Sequence, residues 1–182
     1  MENKLNTKIY AGIGSRQTPD NVCDLMVKIA SFHAKKGNKL RTGAADGADS
    51  AFIHGHYKET RENIEIYIPW DSFNGFYDRD ENVYSGCCYK SKSIASEYHP
   101  RWETLPESVK MLMARNTYQV LGKNLRTPVD FVLCWTPFNR KGDPVGGTSQ
   151  AIRIAKAYDI PVINLGYQKV LNEMKELVKE LD

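Results

Sequence analysis

Apolar positions recur along the chain with two spacings, and the alternation between them predicts the fold. Lys8-Ile-Tyr-Ala-Gly-Ile13 is a short apolar run, read as a strand, that ends in the turn Gly14-Ser-Arg-Gln-Thr-Pro-Asp20. Thr18 before Pro19 is the expected helix cap, and Val22, Leu25, Met26 and Ile29 then repeat at helical spacing. Gly37-Asn38 closes that helix, and Lys39 to Thr42 reads as a brief second strand. A helix from about Asp46 to Lys58 follows, with Ala48, Ala51, Phe52 and Gly55 on one face. Ile64-Glu-Ile-Tyr-Ile68 alternates and stops at Pro69, as a third strand does.

From Trp70 to about His99 no period is evident. The segment is rich in aromatic, Gly, Ser and Asp residues and is expected to be a lid-like insertion at about 70–99, mostly loop, with one short helix near Lys92 to Glu97. Thr104-Leu-Pro-Glu107 has capping-box spacing and opens a helix in which Val109, Leu112, Met113, Val120 and Leu121 face inward, with Gly122 near its end. Val129-Asp-Phe-Val-Leu-Cys-Trp135 is almost continuously apolar, as buried parallel strands are. The glycine loop Lys141-Gly-Asp-Pro-Val-Gly-Gly147 leads to a helix from about Thr148 to Tyr158, then a strand, Ile160-Pro-Val-Ile-Asn164. Val170, Leu171, Met174, Leu177, Val178 and Leu181 complete the pattern as an amphipathic helix.

Strands alternating with helices predict an α/β fold: a three-layer, Rossmann-like, doubly wound and mainly parallel sheet of about five strands. No repeat, low-complexity tract or linker interrupts the pattern, so residues 1–182 are read as a single domain.

Composition narrows the function classes only a little. An apolar fraction of 41% and a charged fraction of 26% suit a soluble globular protein, and a net charge of +3 neither demands nor excludes nucleic acid. No apolar run approaches the roughly 20 residues of a membrane span, and MENKLNTK lacks the apolar core of a signal peptide, so the expected location is the cytoplasm. Cys23, Cys87, Cys88 and Cys134 show no CxxC spacing, and His33, His54, His56 and His99 are scattered. The expectation is therefore no metal site and inert thiols, and nothing asks for a cofactor.

In an open parallel sheet the ligand crevice lies beyond the carboxyl ends of the strands, where helix N-termini gather. Three glycine-bearing loops belong there: Gly12-Ile-Gly-Ser-Arg16, Gly43-Ala-Ala-Asp-Gly47 and Gly146-Gly-Thr-Ser149. Free backbone N–H groups and the positive helix end favour a phosphate or another anion, and small residues let it approach. In the second loop Asp46 is read as the cap of the following helix, and Asp49 as a carboxylate at the rim, free to accept a ribose hydroxyl or to act on one. A tight strand-to-helix turn with a cap explains the same small residues without any ligand. Trp135, at the exit of the strongest strand, is placed near the crevice, and Asp130 at the opposite end.

GIGSR, RTGAADGADSAF, HPRWETL, LMARNTYQVLGKNLRTPVDFVLCWTP and VGGTSQAIRIAKAYDIPVINL together resemble the superfamily of Rossmann-like domains that unites DNA-processing protein A (DprA/Smf) with the "Lonely guy" phosphoribohydrolases. The resemblance is closest to small stand-alone DprA-like members of phages and mobile elements. It implies a nucleotide-type ligand, free or within a nucleic acid. Gly14, Ser15 and Arg16 would meet a phosphate, Arg16 forking onto its oxygens. Gly43 and Ala44 would line the second loop, and Gly146, Gly147, Thr148 and Ser149 would form a second anion site. Arg115 and Asn116, on the long helix, would reach the same crevice. Relatives often dimerise, so a homo-oligomer is expected.

One departure bears on chemistry. Phosphoribohydrolases carry PGGxGTxxE, whose Glu works beside an Arg on the N-glycosidic bond, whereas Gln150 or Ala151 stands where that Glu would fall. Neither side chain ionises, so a hydrolase or transferase would take its carboxylate elsewhere, from Asp46 or Asp49 with Arg115, or from Glu97. Two readings remain: a protein that binds a nucleotide or nucleotide-derived small molecule, with or without chemistry, and a DprA-like single-stranded DNA-binding accessory protein. For the second, Lys90, Lys92, Arg101, Trp102, Lys123, Arg126, Arg140 and Lys141 are candidate contacts, and Trp70, Phe73, Phe76 and Tyr77 candidate stacking platforms.

Overall fold

A computed structural model describes residues 7–180. β1 (Ile9–Gly14), β2 (Lys39–Thr42), β3 (Ile64–Ile68), β4 (Val83–Ser85), β5 (Phe131–Trp135) and β6 (Val162–Asn164) form one parallel sheet in the order β4-β3-β2-β1-β5-β6. The chain moves outward from β1 to one edge, returns, and leaves from β5 to the other. The switch point therefore lies between β1 and β5, where the register runs Tyr10↔Phe131 to Gly14↔Trp135.

The two sheet faces are sorted by the period of two along each strand. Tyr10, Leu40, Ile64, Ile66 and Leu133 pack with Val22, Met26 and Ile29 of α1 (Asp20–Lys35), Ala48 and Phe52 of α2 (Ala48–Tyr57), and Leu171 and Val178 of α6 (Gln168–Lys179). Ala11, Ile13, Val132 and Cys134 point the other way, against Val120 and Leu121 of α4 (Glu107–Leu121) and Ala151, Ile152 and Ile154 of α5 (Gly147–Ala157). α3 (Tyr89–Glu97) packs on α4. Fully buried side chains such as Phe52, Met26, Leu40 and Leu133 each contribute about 1.5–3 kcal/mol by leaving water. α1 and α2 cross so closely that a Cβ on Gly55 would lie 2.2 Å from the Val27 carbonyl oxygen.

The sheet has six strands rather than about five. The extra one, β4, lies within the segment expected to be mostly loop and pairs Ile66↔Val83 through Ile68↔Ser85. Three residues, Val-Tyr-Ser, between Asn82 and Gly86, both at positive φ, are too few to display a period. α3 begins three residues before the helix expected near Lys92, capped by Cys88, whose Sγ accepts the Ser91 N–H at 3.4 Å. Two expected caps are not formed. Thr18 donates to the Ser15 carbonyl at 2.7 Å, closing the first loop, and Thr104 sits in a 3-10 turn and donates to the Arg101 carbonyl. α1 and α4 instead start directly after Pro19 and Pro106, whose preset φ suits the entry to a helix.

His33, in the last turn of α1, packs with its ring tilted against Tyr10 at 4.6 Å and against Phe131 at 5.7 Å between ring centroids. Asn38 donates to its Nδ1 at 2.8 Å, and burial pushes its pKa from 6.5 down to about 4. A base with a depressed folded pKa gives stability that is present above its unfolded value and is lost as pH falls. Urea-unfolding free energy is thus expected to drop by on the order of 2 kcal/mol on acidification from pH 6.5 to about 4. His33→Gln should flatten that part of the profile; an unchanged slope would assign it to other groups.

Candidate functional site: a cationic crevice at the switch point

The carboxyl ends of β1 and β5 open into a cavity of about 410 Å³. Ile13 to Gln17 line it from the loop after β1, Ala45 and Asp49 from the loop and helix after β2, and Pro137 and Val145 to Thr148 from the loop after β5. Leu112, Met113, Arg115, Asn116 and Gln119 of α4 and Ala151 of α5 complete the wall. Arg16 and Arg115 bring positive charge to the lining, and the start of α5 offers backbone N–H groups. The same lining includes the apolar side chains of Leu112, Met113, Pro137 and Val145.

Arg115 forms the floor, only 5% exposed. Its Nη1 donates to Asp49 Oδ2 at 3.4 Å and to the Tyr67 carbonyl at 3.3 Å, while its buried Nε has no partner. The guanidinium crosses directly over Gly43, where a Cβ would come within 1.5 Å of Nη1. Asp49, 3% exposed, accepts the Gly14 N–H at 3.3 Å and the Ala45 N–H at 3.4 Å. Burial pushes the Asp49 carboxyl above the usual carboxylate range, and Arg115 with the two amides pulls it part of the way back. Burial likewise lowers the Arg115 pKa, as does repulsion from Arg16, while Asp49 opposes the change.

A second buried arginine gives the comparison. Arg41, 4% exposed, makes short bonds from Nε to Glu65 and from Nη1 to the Thr127 carbonyl, both 2.6 Å, and Tyr67 Oη donates to the same Glu65 oxygen at 2.7 Å. Arg41 is thus a satisfied structural cation. Arg115, a residue of the cavity lining with long contacts and a buried Nε that has no partner, has capacity left for an acceptor.

The other residues singled out from the sequence divide. Gly14, Ser15, Arg16, Asp49, Arg115, Asn116, Gly146, Gly147 and Thr148 all line the cavity. Ser149 is turned away, donating to the Gly146 carbonyl at 2.6 Å and accepting from Arg153 at 3.2 Å. Ala44 is buried outside the lining, its carbonyl accepting from Asn74 at 2.9 Å. Trp135 also lies outside it: its carbonyl accepts the Ser15 N–H at 3.0 Å and its ring packs into the core. Asp46 is exposed, absent from the lining, and does not cap α2. The capping position falls on Gly47, at φ 78°, where a Cβ would lie 2.6 Å from the Ser15 carbonyl oxygen. Asp46 therefore does not play its expected part as cap, while Asp49 lines the crevice as expected and also holds the backbone of two loops.

Asn116 donates to the Gly147 carbonyl and to Gln150 Oε1, each at 3.1 Å, tying α4 to the start of α5. Gln150 is fully buried and its amide donates to the Ala95 carbonyl, so it is occupied structurally. At the GTxxE position the cavity meets the methyl of Ala151. No residue of the 70–99 segment lines the cavity. Gln17, Gln119, Pro137 and Val145 were not singled out from the sequence, and Leu112 and Met113 only as inward-facing positions of the long helix. Leu112 and Gln119 were findable, lying three and four residues either side of Arg115 on one face of α4.

The chain is thus an α/β protein of Rossmann-like fold with a cationic, glycine-bordered crevice at the switch point of its sheet. Its architecture is similar to that of DNA processing protein A from Helicobacter pylori, solved in work on that protein's single-stranded DNA binding mode: TM-score 0.56, 17% identity, over 99% of this chain and 83% of that one. No protein-family model and no curated protein matches the sequence. Among the described residues, no helix is long and apolar enough to cross a membrane, and no group of three or more His, Cys, Asp and Glu side chains is placed to hold a metal ion.

Proposed function

We propose that the crevice binds a nucleotide or nucleotide-derived small molecule by its phosphate. The observation that carries this reading is Arg115, a buried cation whose Nε has no partner and which shares one cavity lining with Arg16 and the N-terminus of α5. The phosphate takes Arg16, Arg115 and the backbone N–H groups around Gly146 to Thr148, and the nucleoside lies against Leu112, Met113, Pro137 and Val145. The sequence resemblance to the superfamily of DprA and the "Lonely guy" enzymes, in its small phage-type form, supports it. If the ligand is cleaved at its N-glycosidic bond, Asp49 is the carboxylate in the lining and Arg115 its neighbour, with Asp46 outside.

A thermal-shift panel of nucleoside monophosphates, dinucleotides and cyclic nucleotides tests the reading, because a ligand that binds only the folded state raises the melting temperature. Arg16→Ala is expected to weaken the best ligand about ten- to a hundredfold, the loss of about 1.5–3 kcal/mol in charged hydrogen bonds. It should leave the unliganded melting temperature unchanged, since Arg16 is exposed. No shift with any small molecule would sink the reading.

The fold likeness to a protein studied for single-stranded DNA binding supports a second reading, in which the phosphate belongs to a DNA strand. A labelled oligonucleotide would then bind tightly, with affinity falling steeply as salt rises, and Arg16→Ala would shallow that slope.

A further inference from the structure

We propose that Asp49 is a built-in counter-anion of the crevice, which a bound dianion forces to take up a proton, so that anion binding here is coupled to pH. The inference rests on the crevice being an anion site. The charged side chains in the lining are Arg16, Arg115 and Asp49, a balance of one positive charge that suits a monoanion. The start of α5 adds about half a charge more. A dianion placed beside Arg115 therefore leaves excess negative charge in a poorly solvated site, and protonating Asp49 removes it.

The geometry allows the exchange. Asp49 meets Arg115 through one oxygen at 3.4 Å, not by a two-pronged fork, and its two amide contacts, at 3.3 and 3.4 Å, are long. Arg115 can thus shift its donors, including the partnerless Nε, to the anion. Protonated, Asp49 keeps a carbonyl oxygen as acceptor and gains an O–H that donates to the ligand. The proton comes from solvent, and no bond other than O–H is made or broken.

The groups facing Asp49 are Arg115 of α4 with the Tyr67 carbonyl behind it, the Gly14 amide and Arg16 from the first loop, and the Ala45 amide from the second. Cys87, whose charge would act on Arg115, has its thiol pushed up to about 11 by burial. Among the described residues, Asp49 is the one carboxyl group in the lining, and burial has already moved it upward from the usual carboxylate range.

Sulfate is the probe, because it stays a dianion where a phosphate monoester would take up its own proton near pH 6. Calorimetric titration of the full chain with sulfate, in two buffers of different ionisation heat, is expected to show uptake of about one proton per anion bound. Above the Asp49 pKa, affinity should weaken by up to about tenfold per pH unit. Infrared difference spectra of the wild-type protein should gain a protonated carboxyl band on sulfate addition. Asp49→Asn should bind sulfate without proton uptake, and more tightly than wild type at about pH 8. If that variant fails to fold, the infrared difference on the wild type decides the matter. Sulfate binding with equal heats in both buffers and no new carboxyl band would overturn the coupling and leave the anion site standing. No sulfate binding at any pH, in wild type or variant, would remove the anion site and the coupling with it.

Discussion

Arg115→Met is expected to lose anion binding entirely and to unfold about 3–5 kcal/mol more easily than the wild type at neutral pH, the usual cost of leaving one member of a buried ion pair alone. Methionine fills much of the same space, so the loss is electrostatic in origin. Asp49 would be left 3% exposed with only two long amide contacts. Its pKa, already raised by burial, would rise further once Arg115 no longer opposes that shift. A carboxyl raised in the folded state gives stability that is present below its unfolded pKa and lost as pH rises through the folded one. The penalty of Arg115→Met should therefore be small in mild acid and grow toward neutral pH. Urea unfolding of wild type and variant at about pH 5 and about pH 8 checks this, and equal penalties at both values would show that the damage is packing alone. Arg41→Met should behave differently, because its partner Glu65 keeps Lys39 and the Tyr67 hydroxyl as partners.

Much of this site could be read before the structure, for identifiable reasons. β1 and β5 are interior strands covered on both faces, and buried parallel strands write themselves as apolar runs. The loops after β1 and β5 were legible because tight turns onto helix N-termini use glycine. β4 was not legible: it is held by its neighbour β3 across backbone hydrogen bonds, and its three residues carry no pattern. Asp46 does not cap α2 because the helix begins at Ala48, two residues later than expected. That shift follows from the positive φ of Gly47 and its close approach to the first loop, a contact between segments that no local spacing encodes. Arg115 came from family resemblance, and its distinction from Arg41 exists only in three dimensions, in bond lengths and an unmet donor.

Gly43 is the position where a single methyl group should do the most selective harm. An alanine Cβ there would lie 1.5 Å from Arg115 Nη1, 2.7 Å from its Cζ and 2.4 Å from Asp49 Oδ2. The nearest obstacles are side-chain atoms, and the residue does not sit at positive φ, so the backbone accepts alanine and the guanidinium has to move. Gly43→Ala is thus expected to keep the fold at a cost of about 1–3 kcal/mol, the range for overpacking a tight site, while binding of sulfate or a nucleotide falls below detection. The charge is retained and only its position is lost, which separates this variant from Arg115→Met. Combining the two gives the sharper test. If the glycine matters because Arg115 lies across it, adding Gly43→Ala to Arg115→Met should cost less than Gly43→Ala alone, since the guanidinium atoms in collision are gone and Asp49 Oδ2 alone of the three remains. Strict additivity, or a Gly43→Ala protein that binds sulfate as the wild type does, would mean that Arg115 is not the group the glycine makes room for.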